Sequence, residues 1–212
     1  MRVDGVPARR ASQSVPEGAA IEAERDPYAS RAAHKLLHAL DTFALDPEGT
    51  AALDVGASTG GFTDVLLRRG ARQVIALDVG HDQLVPALRA DPRVIVMEGC
   101  NARELDGAAL PFAPDFLSFD VSFISLAKVL PACLAVAAPG AQLAALVKPQ
   151  FEVGRAAIGK GGIVRDSAAA EAAVAHIEAT VAALGWRVLG RTPSPIVGGD
   201  GNAEWLIGAR RP

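Results

Sequence analysis

The stretch Leu53-Asp54-Val55-Gly56-Ala57-Ser58-Thr59-Gly60-Gly61-Phe62 combines an apolar run, an aspartate and three glycines, residue types that bring a main chain close to a ligand. Its spacing is acidic, apolar, G-x-x-x-G-G. A dinucleotide fold prefers G-x-G-x-x-G, and the second glycine of that pattern is missing here. A carboxylate at Asp54 would repel a pyrophosphate but suits the cationic end of S-adenosylmethionine. Asp78 closes the next apolar run, followed by Val79, and a carboxylate there can accept both hydroxyls of an adenosine ribose. Asn101 follows the third run and has the amide chemistry to meet an adenine edge. The expected cofactor site is therefore Asp54, Gly56, Ala57, Ser58, Thr59, Gly60, Gly61, Phe62, Asp78, Val79, Asn101 and Asp120. The alternative is that these are ordinary strand-end turn residues, as Gly, Asp and Asn often are.

Such a site needs elements to hold it, and the apolar pattern supplies them. Strand-like runs fall at 51–55, 73–78, 94–98, 116–120, 142–148, 186–190 and 205–209. Helix-like segments at 61–69, 125–138 and 167–184 fill most of the gaps, stopped by Gly70, Pro139-Gly140 and Gly185. Ser30 is placed to cap one more helix, with Ala33, Leu36, Leu37, Leu40 and Phe43 on one face and Asp46-Pro47-Glu48-Gly49 after it. Near-continuous apolar strands alternating with helices predict an α/β fold, a Rossmann-like, seven-stranded, mostly parallel sheet covered on both faces. Only the loop 192–203 separates the last two strands, so they are expected to form an antiparallel hairpin at the end of the sheet. Residues 1–26 read as two short strands with turns, either a flexible arm or the end of a small domain.

Lysine is scarce: of 21 basic residues only Lys35, Lys128, Lys148 and Lys160 are lysines. Two of them, with two carboxylates, fall where the fold brings chain near the cofactor: Lys35 before the sheet, Asp120 ending the fourth strand, Lys148 ending the fifth and Glu204 starting the last. This set resembles the Lys-Asp-Lys-Glu tetrad of FtsJ-like ribose 2'-O-methyltransferases. The segments SRAAHKL, LDVGASTGGFTD, DVSFISL, LVKPQFEVGR, GKGGIVRD and TPSPIVGGDGNAEWL, in that order, are similar to the haemolysin-A/TlyA branch of that family and cover residues 28–210.

The resemblance implies S-adenosylmethionine-dependent methylation of a ribose 2'-hydroxyl, usually of cytidine, in ribosomal RNA or ribosomal subunits. A ribose hydroxyl is a poor nucleophile near neutral pH, so its proton must be removed while it is aligned with the methyl group. Arginine cannot serve as that base; lysine can if a second lysine and desolvation favour its neutral form. Lys148 is the expected base, Asp120 its partner near the sulfonium, and Lys35 and Glu204 orient the hydroxyl and tune the charge. The bland alternative is a strand-end salt bridge between Lys148 and Asp120, with Lys35 and Glu204 as solvated charges. Ser122 and Phe123 fill the slot where base-modifying methyltransferases carry an Asn-Pro-Pro-Tyr type motif, which favours an oxygen target. Phe123 stacks on a base or is a core aromatic. The glycine-rich loop 149–166 is expected to grip RNA phosphate and close over the nucleotide, with Arg31, Arg155, Lys160 and Arg165 as RNA-binding residues; a structural loop is the alternative.

The rest of the composition narrows the class. A chain of 212 residues, half apolar and with a net charge of -3, can bury a full core, and 27–212 is expected to be the methyltransferase domain. Members of the branch begin with an S4 RNA-binding domain; residues 1–26 are expected to be its remnant, Arg9-Arg10 being the pair suited to phosphate. No apolar run approaches the roughly 20 residues that span a bilayer, which weighs against the membrane-lysing activity suggested by the haemolysin label and predicts a cytoplasmic protein without membrane contact. Cys100 and Cys133 are expected to be buried reduced thiols, and His34, His38, His81 and His176 lack metal spacing apart from the pair four residues apart, so no metal is expected. A rival from the same fold is a methyltransferase acting on another RNA position or a small molecule.

Overall fold

The computed structural model describes residues 2–8, 13–22, 26–154 and 157–212, apart from the Lys160 side chain. In chain order the elements are β1 (Arg2–Val3), β2 (Val6–Pro7), β3 (Ile21–Glu22), α1 (Ala33–Phe43), β4 (Ala51–Val55), α2 (Gly61–Arg68), β5 (Gln73–Leu77), α3 (Pro86–Arg89), β6 (Val94–Met97), β7 (Phe116–Phe119), α4 (Leu130–Ala135), β8 (Gln142–Val147), α5 (Pro149–Glu152), α6 (Ser167–Ala183), β9 (Arg187–Pro193) and β10 (Trp205–Arg210). The expected α/β architecture is present. Seven strands form one sheet in the order β6-β5-β4-β7-β8-β10-β9, and three short strands form a separate sheet in the order β2-β1-β3. The N-terminal stretch thus holds three two-residue strands where two were expected; Arg9 and Arg10 lie outside the described residues.

Strands β4 to β8 pair in parallel; apart from β6 at the edge, which is half-buried, nearly all their residues are buried on both faces, which is why they read as unbroken apolar runs. The pleat sorts them: Ala52, Ala144 and Leu146 pack with Leu36 and Leu40 of α1 and Val65 and Leu66 of α2. Leu53, Val55, Leu143, Ala145 and Val147 pack on the other face with Leu130 and Leu134 of α4 and Val174, Ile177 and Val181 of α6. Helix α6 is Ala-rich, but its buried positions recur at helical spacing, and Asp166 caps it by accepting from the amides of Ala168 and Ala169.

The C-terminal pair is antiparallel as expected, but β10 inserts between β8 and β9, so β9 is the edge of the sheet. Two other expectations shift locally. The segment expected as one helix over 125–138 is a 3-10 turn, Leu126–Lys128, followed by α4, because Pro131 lacks an N–H and is tolerated only in a first turn. Ser30 does not cap α1: Ala32 is the N-cap, and Ser30 Oγ accepts from the Ala32 amide one turn earlier.

Candidate active site

In the main sheet the strand order reverses at β4, with β5 on one side and β7 on the other, and open α/β sheets bind ligands at the carboxyl ends of the strands flanking such a point. A cavity of about 540 Å³ lies there, lined by chain that follows four strands: Val55 to Ser58 after β4, Asp78 to Gly80 after β5, Cys100 to Arg103 after β6 and Asp120 to Ile124 after β7. A second cavity of about 190 Å³ adjoins it, sharing Gly56, Ser58, Asp120 and Ser122 and adding Ser30, Ala32, Thr59, Gly61, Phe62 and Lys148. Gly56 sits at the junction with φ of 84°, and a Cβ there would come within 2.6 Å of the Asp120 carbonyl oxygen. Glycine at 56 therefore lets the β4 and β7 ends approach each other.

The expected cofactor residues divide. Ala57, Ser58, Thr59, Gly61 and Phe62 line the smaller cavity, and Val79, 73% exposed, lines the larger one. Gly60 instead turns the chain at φ of 99°, against Leu84 and Leu88. Asp78 follows β5 directly; Oδ2 accepts from the Ser58 amide and Oδ1 from the Gly80 amide, each at 2.8 Å, which aims the carboxylate into the larger cavity. Asn101 lines the cavity with its side chain partly engaged: Oδ1 accepts from the Arg103 amide and Nδ2 donates one hydrogen to Glu104 Oε1 at 2.7 Å, which leaves its second N–H. One expectation needs correction. Asp54 is fully buried and lines neither cavity. Thr63 Oγ1 and Ser118 Oγ donate to its two oxygens at 2.7 and 2.8 Å, so the carboxylate ties α2 and β7 to β4 instead of facing a ligand. Burial pushes its pKa up to about 6, with Asp120 adding a smaller push and the two hydroxyls opposing both.

The four tetrad residues form two ion pairs. Lys148 Nζ lies 2.6 Å from Asp120 Oδ1 and donates to Ser122 Oγ at 2.8 Å. Lys35 Nζ donates to Glu204 Oε2 at 2.5 Å, with both side chains almost completely buried. The antiparallel register, Trp205 opposite Val147, carries Glu204 to the position opposite Lys148 just beyond the ladder. All four therefore gather at one end of the sheet. Each ammonium faces a carboxylate rather than another ammonium, and only Asp120 and Lys148 line a cavity. The solvated-charge alternative for Lys35 and Glu204 is excluded by their burial, and so is direct contact with a ligand in this conformation.

Around the pair lie further groups, of which Glu152 and Asn202 were not singled out by the motifs. Glu152 of α5 accepts from Ser125 Oγ and from the Leu126 amide, each at 2.6 Å, and so ties the turn after Asp120 to the turn after Lys148. Phe123 is 92% exposed at the cavity rim with φ of 64°, beside Phe151 at 5.3 Å between ring centroids. It is not a core aromatic. The glycine-rich loop begins with α5 and returns through a bridge between Ile158 and Val164. Buried Asn202 pins it, accepting from the Val164 amide at 2.9 Å and donating to the Gly162 carbonyl at 3.0 Å. Asparagine in a glycine-rich loop reads as turn chemistry, so sequence alone carries no sign of this tie. Arg31, beside Gly199, and Arg165 are exposed; Arg155 and the Lys160 side chain lie outside the described residues. Cys133 is buried and Cys100 half-buried in the cavity wall, and both are free thiols. His34 pairs with Asp26 at 2.7 Å and His38 with Thr192 at 3.3 Å. Among the described residues no cluster of three metal-ligating side chains occurs and no helix is long and apolar enough to cross a membrane.

Comparison with known proteins agrees with this geometry. The family model for FtsJ-like methyltransferases matches residues 28–211. The chain is 45% identical over 213 residues to the 16S/23S rRNA (cytidine-2'-O)-methyltransferase TlyA of Mycobacterium tuberculosis, covering 99% of this chain and 80% of that one. A solved structure from the hemolysin group, from Streptococcus thermophilus, superposes with a TM-score of 0.85 at 45% identity, covering 91% of this chain and 70% of that one. A Mesorhizobium loti S-adenosylmethionine dependent methyltransferase shares the fold alone, with a TM-score of 0.57 at 15% identity over 86% of this chain and 100% of that one.

Proposed function

The chain belongs to the FtsJ-like methyltransferase family, and on that footing we propose that it methylates a ribose 2'-hydroxyl of ribosomal RNA, at a cytidine, with S-adenosylmethionine as donor. The observation that carries the reading is the Lys148–Asp120 ion pair, 2.6 Å apart where the smaller cavity meets the larger. The residues fit the cofactor. A cavity of about 540 Å³ falls within the usual range of small-molecule sites, roughly 300–1,000 Å³. Asp78, whose oxygens each keep a lone pair free of the backbone, would hold the ribose hydroxyls, the chain at Gly56 to Ser58 would hold the amino-acid end, and Asp120 would face the positive charge. When bound there, S-adenosylmethionine supplies an electrophilic methyl group on a cationic sulfur.

The remaining chemistry belongs to side chains. A hydroxyl entering the smaller cavity meets Lys148, which lines it beside Asp120 and acts as base in its neutral form. As Nζ takes up the hydroxyl proton, the ammonium so formed already has Asp120 Oδ1 at 2.6 Å as counter-charge and Ser122 Oγ at 2.8 Å as acceptor. The buried Lys35–Glu204 pair supports the same strand end from behind. Phe123, an exposed ring held at the rim, supports stacking of the target base, and Arg31, Arg155, Lys160 and Arg165 complete the RNA contacts proposed here. Residues 27–212 as the methyltransferase domain, preceded by residues of S4 type, belong to the same proposal.

The test is a map of 2'-O-methyl sites in rRNA from cells with and without the gene, repeated with Lys148→Ala. A cytidine site should vanish in both, while calorimetry shows cofactor binding retained by the variant. An unchanged map from a protein that binds S-adenosylmethionine would move the reaction to another acceptor. Failure to bind S-adenosylmethionine would remove the reading altogether.

A further inference from the structure

We propose that Ser122 is a positioning residue for Lys148, the hydrogen-bond acceptor that gives the Lys148 amine a fixed direction at the smaller cavity beside its ion pair with Asp120. The inference rests on the reading of Lys148 as the base. A lysine side chain ends a flexible four-carbon stem, and one ion pair leaves it free to rotate about that contact. Lys148 Nζ has two contacts, Asp120 Oδ1 at 2.6 Å and Ser122 Oγ at 2.8 Å. Only the Ser122 contact has hydrogen-bond geometry; Asp120 Oδ1 stands at ion-pair distance without accepting a hydrogen bond. The ion pair supplies charge and the Ser122 bond supplies direction, and Lys148, Asp120 and Ser122 all line the smaller cavity. Without the Ser122 acceptor the amine is free to turn about the ion pair.

Ser122 is held in place by features that serve no packing purpose of its own. The residue after it, Phe123, adopts φ of 64°, a conformation that bulky side chains avoid and that persists only where surroundings enforce it. Just beyond, Ser125 Oγ and the Leu126 amide donate to Glu152, four residues after Lys148. The chain carrying Ser122 is therefore braced to the chain carrying Lys148. Ser122 itself is exposed, so neither loss of its hydroxyl nor an added methyl group disturbs a core.

The experiment compares Ser122→Ala and Ser122→Thr with the wild type. In steady-state methylation of rRNA, Ser122→Ala should lower kcat about tenfold, the size expected for one lost acceptor to a charged donor. KM for RNA and the Kd for S-adenosylmethionine should stay within about twofold, and Ser122→Thr should restore most of kcat. A second readout does not depend on the reaction: the chain has four lysines, so selective 13C labelling at lysine Cε resolves Lys148 by NMR. That signal should shift and gain mobility in Ser122→Ala and return in Ser122→Thr. An unchanged kcat, or a loss carried entirely by KM or Kd, would overturn the proposal. If the wild type methylates no ribose hydroxyl, a Lys148 signal that moves leaves the contact standing and removes the acceptor assignment. A signal that does not move removes Ser122 as well.

Discussion

Asp54 offers a quantitative check on the site, because its carboxylate is fully buried and its pKa is pushed up to about 6 from 3.8. Between those values the folded protein holds a proton that the unfolded chain has lost. Stability contributed by the protonated form is complete below about pH 3.8 and is lost as pH rises through about 6. A displacement of about 2 units corresponds to about 3 kcal/mol. Asp54→Asn removes the titration and keeps the shape. Its carbonyl can still accept from Thr63 Oγ1, while its amide must donate to Ser118 Oγ, turning that hydroxyl round at a cost of about 1 kcal/mol. The variant should therefore be about 1 kcal/mol less stable than wild type near pH 4 and about 2 kcal/mol more stable at pH 7.5. Urea unfolding of both proteins from pH 4 to 7.5 measures the difference, and its change of about 3 kcal/mol across the window is the decisive quantity. A difference that stays constant across that window, or a variant clearly destabilised at pH 7.5, would refute the buried-carboxylate account and return Asp54 to a solvent-facing role.

The Lys35–Glu204 pair should behave as a buried unit: Lys35→Met leaves Glu204 charged and unpaired, costing about 3–5 kcal/mol, or a Tm lower by about 6–20 °C. The double variant Lys35→Met/Glu204→Leu should recover most of that loss, and a single variant melting within about 2 °C of wild type would contradict the burial. Asn202→Ala should free the glycine-rich loop without unfolding the sheet, because it removes the partners of the Val164 amide and the Gly162 carbonyl. Hydrogen exchange over 162–166 should accelerate about 10- to 100-fold with the β8 amides unaffected, whereas unchanged exchange would mean that the loop is held by something else.

The sheet was legible because parallel strands buried on both faces leave long apolar runs, and all seven runs correspond to strands. Insertion of β10 between β8 and β9 was not, since a short connection between two strands says that they pair and not which of them takes the edge. The tetrad was legible through its strand-end positions and its resemblance to the Lys-Asp-Lys-Glu set, with lysine's scarcity beside arginine in support. Its arrangement in two lysine–carboxylate pairs was not, because that depends on the β8–β10 register and on α1 lying across the strand ends. Asn101 shows a different limit. An amide before a 3-10 turn caps that turn through its oxygen, and the bonds to Arg103 and Glu104 that leave one Nδ2 hydrogen over are not visible in the sequence.

Three aspartates, at 54, 78 and 120, each close an apolar run and look equivalent in sequence. Their position relative to the hydrogen-bonded ladder separates them. Asp78 and Asp120 come one residue after β5 and β7, where the amide still donates to the neighbouring strand and the residue lines a cavity. Lys148 stands one residue after β8 and Glu204 one residue before β10. Asp54 lies one residue inside β4, paired across to Ser118, so the sheet covers it. The sequence does not carry this difference: Asp54-Val55-Gly56 and Asp78-Val79-Gly80 read alike, and the strand ends separate them, Val55 lying inside β4 and Val79 beyond β5. One residue of register thus separates a carboxylate that braces α2 and β7 from two that face the cavity, and it ties the Asp54→Asn pH profile to the same geometry that presents Asp120 to Lys148.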